Sequence, residues 1–159
     1  MKREREKVVN ILEYYRDIDN NVKLNNGVIK NIEDQYYTTL GAVNMDGMPH
    51  GKGGVSSPVE RVVLNIPASV TKTIEELRRD NEQMLEIKGK ILAEINSLPY
   101  REKAIILEFY IGGEQWEQVS QRLNYCTRQC KNIRDLALDR LGARFAANKA
   151  ISHYRFPKK

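Results

Sequence analysis

The sequence of 159 residues predicts an all-α protein, in which a long, coiled-coil-like helical hairpin precedes a compact helix-turn-helix. Two long stretches repeat apolar residues at alternating spacings of three and four, the heptad pattern of helices that pack side by side. The last third instead contains three short amphipathic stretches, separated by Gly112-Gly113 and by a turn at residues 124–127. We therefore predict a hairpin over residues 1–97, a helix-turn-helix over 98–142 and a basic tail over 143–159.

The first heptad stripe predicts one long helix from about Arg3 to about Thr39. It passes through Asn25-Asn26-Gly27, where glycine costs about 1 kcal/mol in a helix interior, so the helix is either straight or bent near Gly27. The stripe consists of Val8, Ile11, Tyr15, Ile18, Val22, Asn25, Ile29, Ile32 and Tyr36.

Residues 41–58 interrupt the heptads with five glycines, two prolines and no periodicity. This composition predicts a loop. Because long loops in compact proteins are often functional or mobile, we expect this one to be mobile or to bind a partner.

The second heptad stripe predicts a helix that begins between Pro58 and Thr71 and continues to Leu98. Two helices of similar length joined by a loop can bury their stripes against each other as an antiparallel hairpin. The same pattern also suits partners from two chains, so a homo-oligomer remains an alternative. The stripe consists of Ile74, Leu77, Asn81, Met84, Lys88, Ile91, Ile95 and Leu98, and Leu85 and Leu92 widen it.

Local signals divide residues 98–142 into three helices. Pro99 suits the first position of a helix, where its missing N–H costs nothing, and Gly112-Gly113 ends that helix. Asn124 suits a left-handed turn after a second helix over about 114–123. Cys126 or Thr127 then caps a third helix, with Gln129 in a capping-box position. Gly142 is expected to end this helix, and the tail beyond it is expected to be partly frayed. The apolar groups expected to face inward are Ala104, Ile105, Leu107, Phe109, Trp116, Val119, Leu123, Cys130, Ile133, Ala137 and Leu141.

The net charge of +5 is unevenly distributed along the chain. Residues 1–98 hold 14 Lys and Arg against 15 Asp and Glu, whereas residues 99–159 hold 12 against 6. A locally basic region is typical of proteins that bind polyanions, although a solvated basic surface has the same composition.

The helical period leaves a polar face on the third short helix, opposite its inward stripe. Side chains of these types bind DNA, since Arg can pair with guanine, Gln and Asn with adenine, and Lys and Thr with phosphate. The alternative is a plain solvated helix face. The candidate DNA contacts are Thr127, Arg128, Gln129, Lys131, Asn132 and Arg134, with Arg122, Arg140, Arg144 and Lys149 as weaker phosphate contacts.

No pattern in the sequence predicts enzymatic chemistry, a cofactor or a metal site. Cys126 and Cys130 lie one helical turn apart, but no second Cys or His pair follows at zinc-finger spacing. The run Gly51-Lys52-Gly53-Gly54 does not match a Walker motif. No apolar run is long enough to span a membrane, and the N-terminus does not resemble a signal peptide. We therefore expect a cytoplasmic, non-enzymatic protein with reduced cysteines.

The segment 98–141, LPYREKAIILEFYIGGEQWEQVSQRLNYCTRQCKNIRDLALDRL, resembles region 4 of the sigma-70 family of RNA polymerase sigma factors. In that family Leu-Pro opens the region, a Gly follows its first helix, and an aromatic residue begins the next. Leu98-Pro99, Gly112-Gly113 and Trp116 occupy those places here. Cys126 stands where the family usually has Ser, and Asn124 where it usually has Gly. Region 4 contacts −35 DNA and the flap of the polymerase, so double-stranded DNA and RNA polymerase are the partners that the resemblance implies.

Nearly the whole chain, including the loop MDGMPHGKGGVSSPVERV, also resembles small sigma-factor-like transcriptional regulators of Gram-positive phages and mobile elements. We see no region 2, which in sigma factors melts promoter DNA, so the resemblance implies a regulator, an activator of phage or mobile-element genes, and not a complete sigma factor. Two alternatives remain: a DNA-packaging protein like a phage small terminase subunit, and a module that binds only proteins.

Overall fold

The computed structural model describes residues 2–43 and 66–157, which form helices and turns with no β-strand among them. A π-helical segment, Ile106–Ile111, directly follows the third of six α-helices in these two ranges. The all-α class is therefore confirmed. The predicted loop begins later than residue 41, because residues 41–43 belong to the first helix, and residues 44–58 lie outside the described ranges. The helices are α1 Lys2–Val43, α2 Ala68–Asn96, α3 Tyr100–Ile105, α4 Trp116–Leu123, α5 Thr127–Ala147 and α6 Lys149–His153.

The chain divides into two compact units. The hairpin unit is Asn20–Glu82, and the terminal unit combines Met1–Asp19 with Gln83–Lys159. This division differs from the predicted boundary between residues 97 and 98, which stays a prediction about the domains. None of the helices in residues 2–43 and 66–157 combines the length and the apolar character that a membrane span needs.

In the hairpin unit, α1 and α2 run antiparallel and come from one chain. The Asn25 amide donates to Oδ1 of Asn81 at 2.9 Å, and eight residues further along α1, Glu33 pairs with Arg78 at 3.1 Å. Asn81 is 7 % exposed and donates in turn to Oδ1 of Asn26 at 2.9 Å. A buried amide at a heptad position is therefore satisfied on both its donor and its acceptor side, which favours this register over shifted ones.

In the terminal unit, the heptad stripes predicted the buried face well but not completely. Ile18, Ile91 and Ile95 are fully buried as predicted, and so is Leu12, which the stripe omitted. Leu85 was predicted to widen the second stripe but is 49 % exposed, whereas Ile87 is buried. Leu85 and Ile87 flank the stripe on opposite sides, at e and g positions of the heptad, so α2 widens its buried face on the side opposite to the predicted one. Lys88, at a stripe position, keeps its ammonium at the edge, 2.6 Å from Asp19.

Helices α3, α4 and α5 enclose a small core of their own. Ile105, Val119 and Cys130 are fully buried there, one from each helix. The partly buried side chains packed around them are Phe109, Trp116, Leu123, Tyr125 and Ile133. Most of these residues were predicted to face inward, because short amphipathic helices show their buried side in their spacing.

The predicted turns are confirmed, with one addition. Gly113 has φ +70° after the first helical segment, and Asn124 has φ 56° after α4, so both occupy the left-handed region that Gly and Asn tolerate. The addition is the π-helical segment, in which the Gly112 N–H donates to the carbonyl of Leu107, five residues earlier, at 2.7 Å.

The predicted end of α5 at Gly142 is wrong, and the tail that was predicted to be partly frayed is largely helical as far as His153. The helix continues through Gly142 to Ala147, and Gly142 faces Val8 of α1, where a Cβ would make an ordinary contact at 3.5 Å. Asn148 ends α5 and caps α6 by accepting from the Ala150 N–H at 3.1 Å. The apolar spacing simply continues past Gly142, since Phe145 and Ile151 are buried.

Candidate nucleic-acid interface

A three-residue connection joins α4 to α5 and determines where α5 begins. Asn124 reverses the chain in the left-handed conformation, and the Tyr125 N–H donates to the Ser120 carbonyl at 3.2 Å. Cys126 is extended, with φ −69° and ψ 153°, and precedes the first residue of α5. The guanidinium of Arg101, in α3, lies 5.6 Å from the ring centroid of Tyr125. This cation–π contact holds the turn against α3. The first turns of α5 therefore begin at the surface.

Four of the six predicted contacts on α5 are exposed on these first turns. They are Arg128, Gln129, Lys131 and Asn132. Within the described ranges, the side chains of Arg128, Gln129 and Asn132 have no hydrogen bond or ion pair. The capping role predicted for Gln129 is wrong, because no side chain caps the start of α5. As a result, the Gln129 amide stays available to bind another molecule.

The predicted exposure of Thr127 and Arg134 is wrong, since both are half-buried. Arg134 donates from Nε and Nη2 to Oδ1 of Asp135 at 2.8 and 2.6 Å. Its guanidinium also lies 5.5 Å from the ring centroid of Trp116. The helical period of α5 alone could not predict that Arg134 is half-buried, because Trp116, which its guanidinium contacts, belongs to α4. A guanidinium held by a carboxylate and an indole is poorly placed to pair with a base.

Trp116 anchors a cluster of aromatic and cationic side chains between α4 and α5. Its ring stacks on Phe109, with 3.9 Å between centroids and 20° between planes. The ammonium of Lys131 lies 5.8 Å from the same indole, beside Arg134. Burial, more than any nearby charge, raises the pKa of Tyr110, which packs edge-on against Phe109. The cluster restricts Lys131 to one side of α5, at the edge of the exposed polar face.

The weaker phosphate candidates are mostly engaged inside the chain. Arg122 pairs with Glu108 and with Glu114, Arg140 pairs with the buried Glu102 at 3.0 Å, and Arg144 approaches Glu94 at 3.5 Å. Lys149 is exposed at the first position of α6. Surface ion pairs are weak, so a phosphate can compete for Arg122 and Arg144, which are both about half exposed. Arg140 is a poorer candidate. If it turned to bind a phosphate, the buried carboxylate of Glu102 would lose its ion pair, and Oε2 of that carboxylate already has no hydrogen-bond partner.

Arg5 neutralises two carboxylates in the middle of α5, a role that the pattern of the sequence did not predict. Its Nε and Nη2 donate to the two carboxylate oxygens of Asp139 at 2.6 Å each, and Nη1 lies 3.1 Å from Asp135. The hydrogen bonds from Arg5 hold the pKa of Asp139 below its ordinary value of 3.8. The only local signal was an acidic pair, one turn apart, on an otherwise basic helix. Arg5 thereby reduces the negative potential next to the exposed polar face of α5.

Residues 2–43 and 66–157 contain no group of three or more His, Cys, Asp or Glu side chains that could hold a metal ion. Cys130 is buried and Cys126 is exposed, and neither is in a disulfide. The exposed start of α5 is thus a surface of uncharged polar and cationic side chains.

Comparison of the chain with protein-family models finds no match. Neither a curated protein nor a solved structure matches it. What the surface of α5 binds must therefore be inferred from its own geometry.

Proposed function

We propose that the protein is a sequence-specific, DNA-binding regulator of transcription, in which α4 and α5 form a sigma-region-4-like helix-turn-helix. The observation that carries the proposal is the exposed start of α5, where Arg128, Gln129 and Asn132 have no partners within the described ranges. The second helix of a helix-turn-helix contacts bases through its N-terminal residues. These three residues occupy that place.

The chemistry of the exposed face fits the major groove. Arg can donate two hydrogen bonds to guanine, and Gln and Asn can bond both edge atoms of adenine. Lys131, at the margin of the same face, suits a phosphate as a charged donor. The N-terminal end of α5 adds the positive end of the helix dipole. No side chain caps this end, so the first backbone N–H groups of α5 are open to an anionic group such as a phosphate. The excess of basic residues after residue 98 supplies the long-range attraction.

The wider role follows from the resemblance to sigma region 4. We propose that the regulator activates phage or mobile-element genes together with RNA polymerase, and that the paired helices α1 and α2 provide the surface for a second copy or for the polymerase. It would act together with a complete sigma factor, which opens the promoter.

The proposal is tested by titrating duplex DNA with the protein at several salt concentrations, with fluorescence anisotropy as the readout. The variant is Arg128→Ala and the matched control is Arg79→Ala, which removes the same charge from an exposed position on α2. We expect Arg128→Ala to lose about 1–3 kcal/mol of discrimination between preferred and random duplex, and Arg79→Ala to keep it.

Equal losses in the two variants would show that only net charge matters. No salt-dependent affinity for any duplex would leave a protein-binding module as the better interpretation. Closed rings of many subunits that bind DNA without base preference would instead favour a packaging protein of the small-terminase kind.

A further inference from the structure

One flank of α1 carries a second strip of residues at heptad spacing, beside the stripe that packs on α2. We call it the outer strip. Its spacing of three, four, three and four is that of a helix packed against another helix. Its central residues are exposed, whereas Ile29, next to Val28 in the chain, is buried. The outer strip consists of Asn21, Leu24, Val28, Asn31 and Gln35.

Two large apolar side chains lie exposed at the centre of the outer strip. Leu24 is 68 % exposed and Val28 is 46 % exposed, one helical turn apart. Single apolar residues are common on protein surfaces, but these two adjoin each other and continue a regular spacing. Covering them would remove apolar surface from water, which favours association.

The outer strip is also free of charge. Charged residues make up 30 % of the sequence, and an exposed helix face normally carries many of them. Residues 20–36 include Lys23, Lys30, Glu33 and Asp34, yet none of these four belongs to the strip. A partner that covers the strip therefore has no charge to desolvate and no charge to pair.

We propose that the outer strip is the contact surface for a second copy of this chain, related by a twofold axis. In such an interface one patch meets itself, so a charged patch would place like charges together. An uncharged strip avoids that repulsion, whereas a partner selected by opposite charge would find nothing on the strip to match. Leu24 and Val28 provide the apolar centre, and the Asn residues on each side can hydrogen-bond across the axis and define the register.

Two aliphatic side chains per copy make a small interface. Small interfaces bind weakly because association costs rotational and translational freedom, so we expect a dissociation constant on the order of 10–1000 μM. The inference rests on the part of the proposed function in which α1 and α2 contact a second copy, but it does not depend on DNA binding, since it concerns α1 alone. If the protein does bind DNA, two copies on neighbouring sites would be held at a high local concentration, where a weak contact suffices.

The test is sedimentation velocity of the full chain without DNA, over concentrations from about 5 μM to about 1 mM that bracket the expected constant. We expect the average mass to rise from 18.4 kDa towards twice that value. Leu24→Lys should weaken association by at least about tenfold, because it places two like charges at the centre of the interface. Leu24 is largely exposed, so this substitution leaves the packing of α1 on α2 intact, which a thermal melt at low concentration verifies.

Leu136→Lys is the matched control, since Leu136 is an exposed leucine of α5 at 57 % and the change in charge is the same. We expect it to associate like the parent. The proposal is overturned if the parent stays at 18.4 kDa throughout, if Leu24→Lys associates as strongly as the parent, or if both lysine variants lose association equally.

Discussion

Replacing Asn81 with alanine tests the polar contact inside the hairpin unit. Asn81 is 7 % exposed, donates to Asn26 and accepts from Asn25, each at 2.9 Å. Alanine removes both hydrogen bonds, and each such bond contributes about 1 kcal/mol net. Asn25 and Asn26 are not buried, so their amides can turn to water and add no further large penalty. We therefore expect Asn81→Ala to lower the free energy of unfolding by about 2 kcal/mol.

Asn81→Leu provides the decisive comparison at the same position. It loses the same two hydrogen bonds, about 2 kcal/mol together, but burying a leucine side chain contributes roughly 1.5–3 kcal/mol. The two effects offset each other, so we expect a stability close to that of the parent. Leucine also removes the amide that distinguishes one register from another, and the hydrogen-exchange protection of residues 20–36 should become less uniform.

The measurement is urea denaturation at 25 °C, followed by far-ultraviolet circular dichroism at low micromolar protein. The slope of unfolding free energy against urea should stay constant, so that changes in midpoint report stability. The reasoning would be refuted if Asn81→Ala lies within about 0.5 kcal/mol of the parent, or if Asn81→Leu is as unstable as Asn81→Ala.

Three further outcomes are expected from single positions. Gly27→Ala should raise the free energy of unfolding by about 0.5–1 kcal/mol, since a Cβ there meets no atom within 4 Å and alanine favours the helix; urea titration would show the opposite if α1 needs glycine to bend. A thiol reagent should modify the exposed Cys126 quickly and Cys130 only on unfolding, because burial raises the pKa of the Cys130 thiol and blocks access; equal rates would contradict this. Arg5 lowers the pKa of Asp139 below 3.8, so their bond stabilises the fold above that pH and less as pH falls through the lowered pKa. The melting temperatures of parent and Arg5→Ala should therefore differ at pH 6 and converge towards pH 2, and a constant difference would exclude this linkage.

The sequence predicted those parts of the fold that local rules determine. Heptad spacing located the buried stripes of α1 and α2, and turn chemistry located Gly113 and Asn124. The spacing did not distinguish Leu85 from Ile87, because both flank the heptad stripe and only the position of the packed helix decides which flank is covered.

Contacts between distant parts of the chain left no local signal. Arg5 and Asp139 are 134 residues apart, and the hydroxyls of Tyr14 and Tyr154, which lie 2.7 Å apart, are separated by 140 residues. These contacts hold the start of α1 against the C-terminal part of the terminal unit, and explain why the tail that the sequence predicted to be frayed is packed. In the candidate interface, the period of α5 identified the exposed Arg128 but not the contact of Arg134 with an indole of another helix.

The most direct test of the proposed function is the ratio of two DNA affinities measured at one salt concentration. The preferred duplex is selected from a random pool with the parent protein, and its dissociation constant is compared with that of a shuffled duplex of equal length. We expect a ratio of about 10³ or more at roughly physiological salt, falling by about tenfold or more in Gln129→Ala at unchanged thermal stability. A ratio near one for the parent, or an unchanged ratio in the variant, would contradict base recognition by α5.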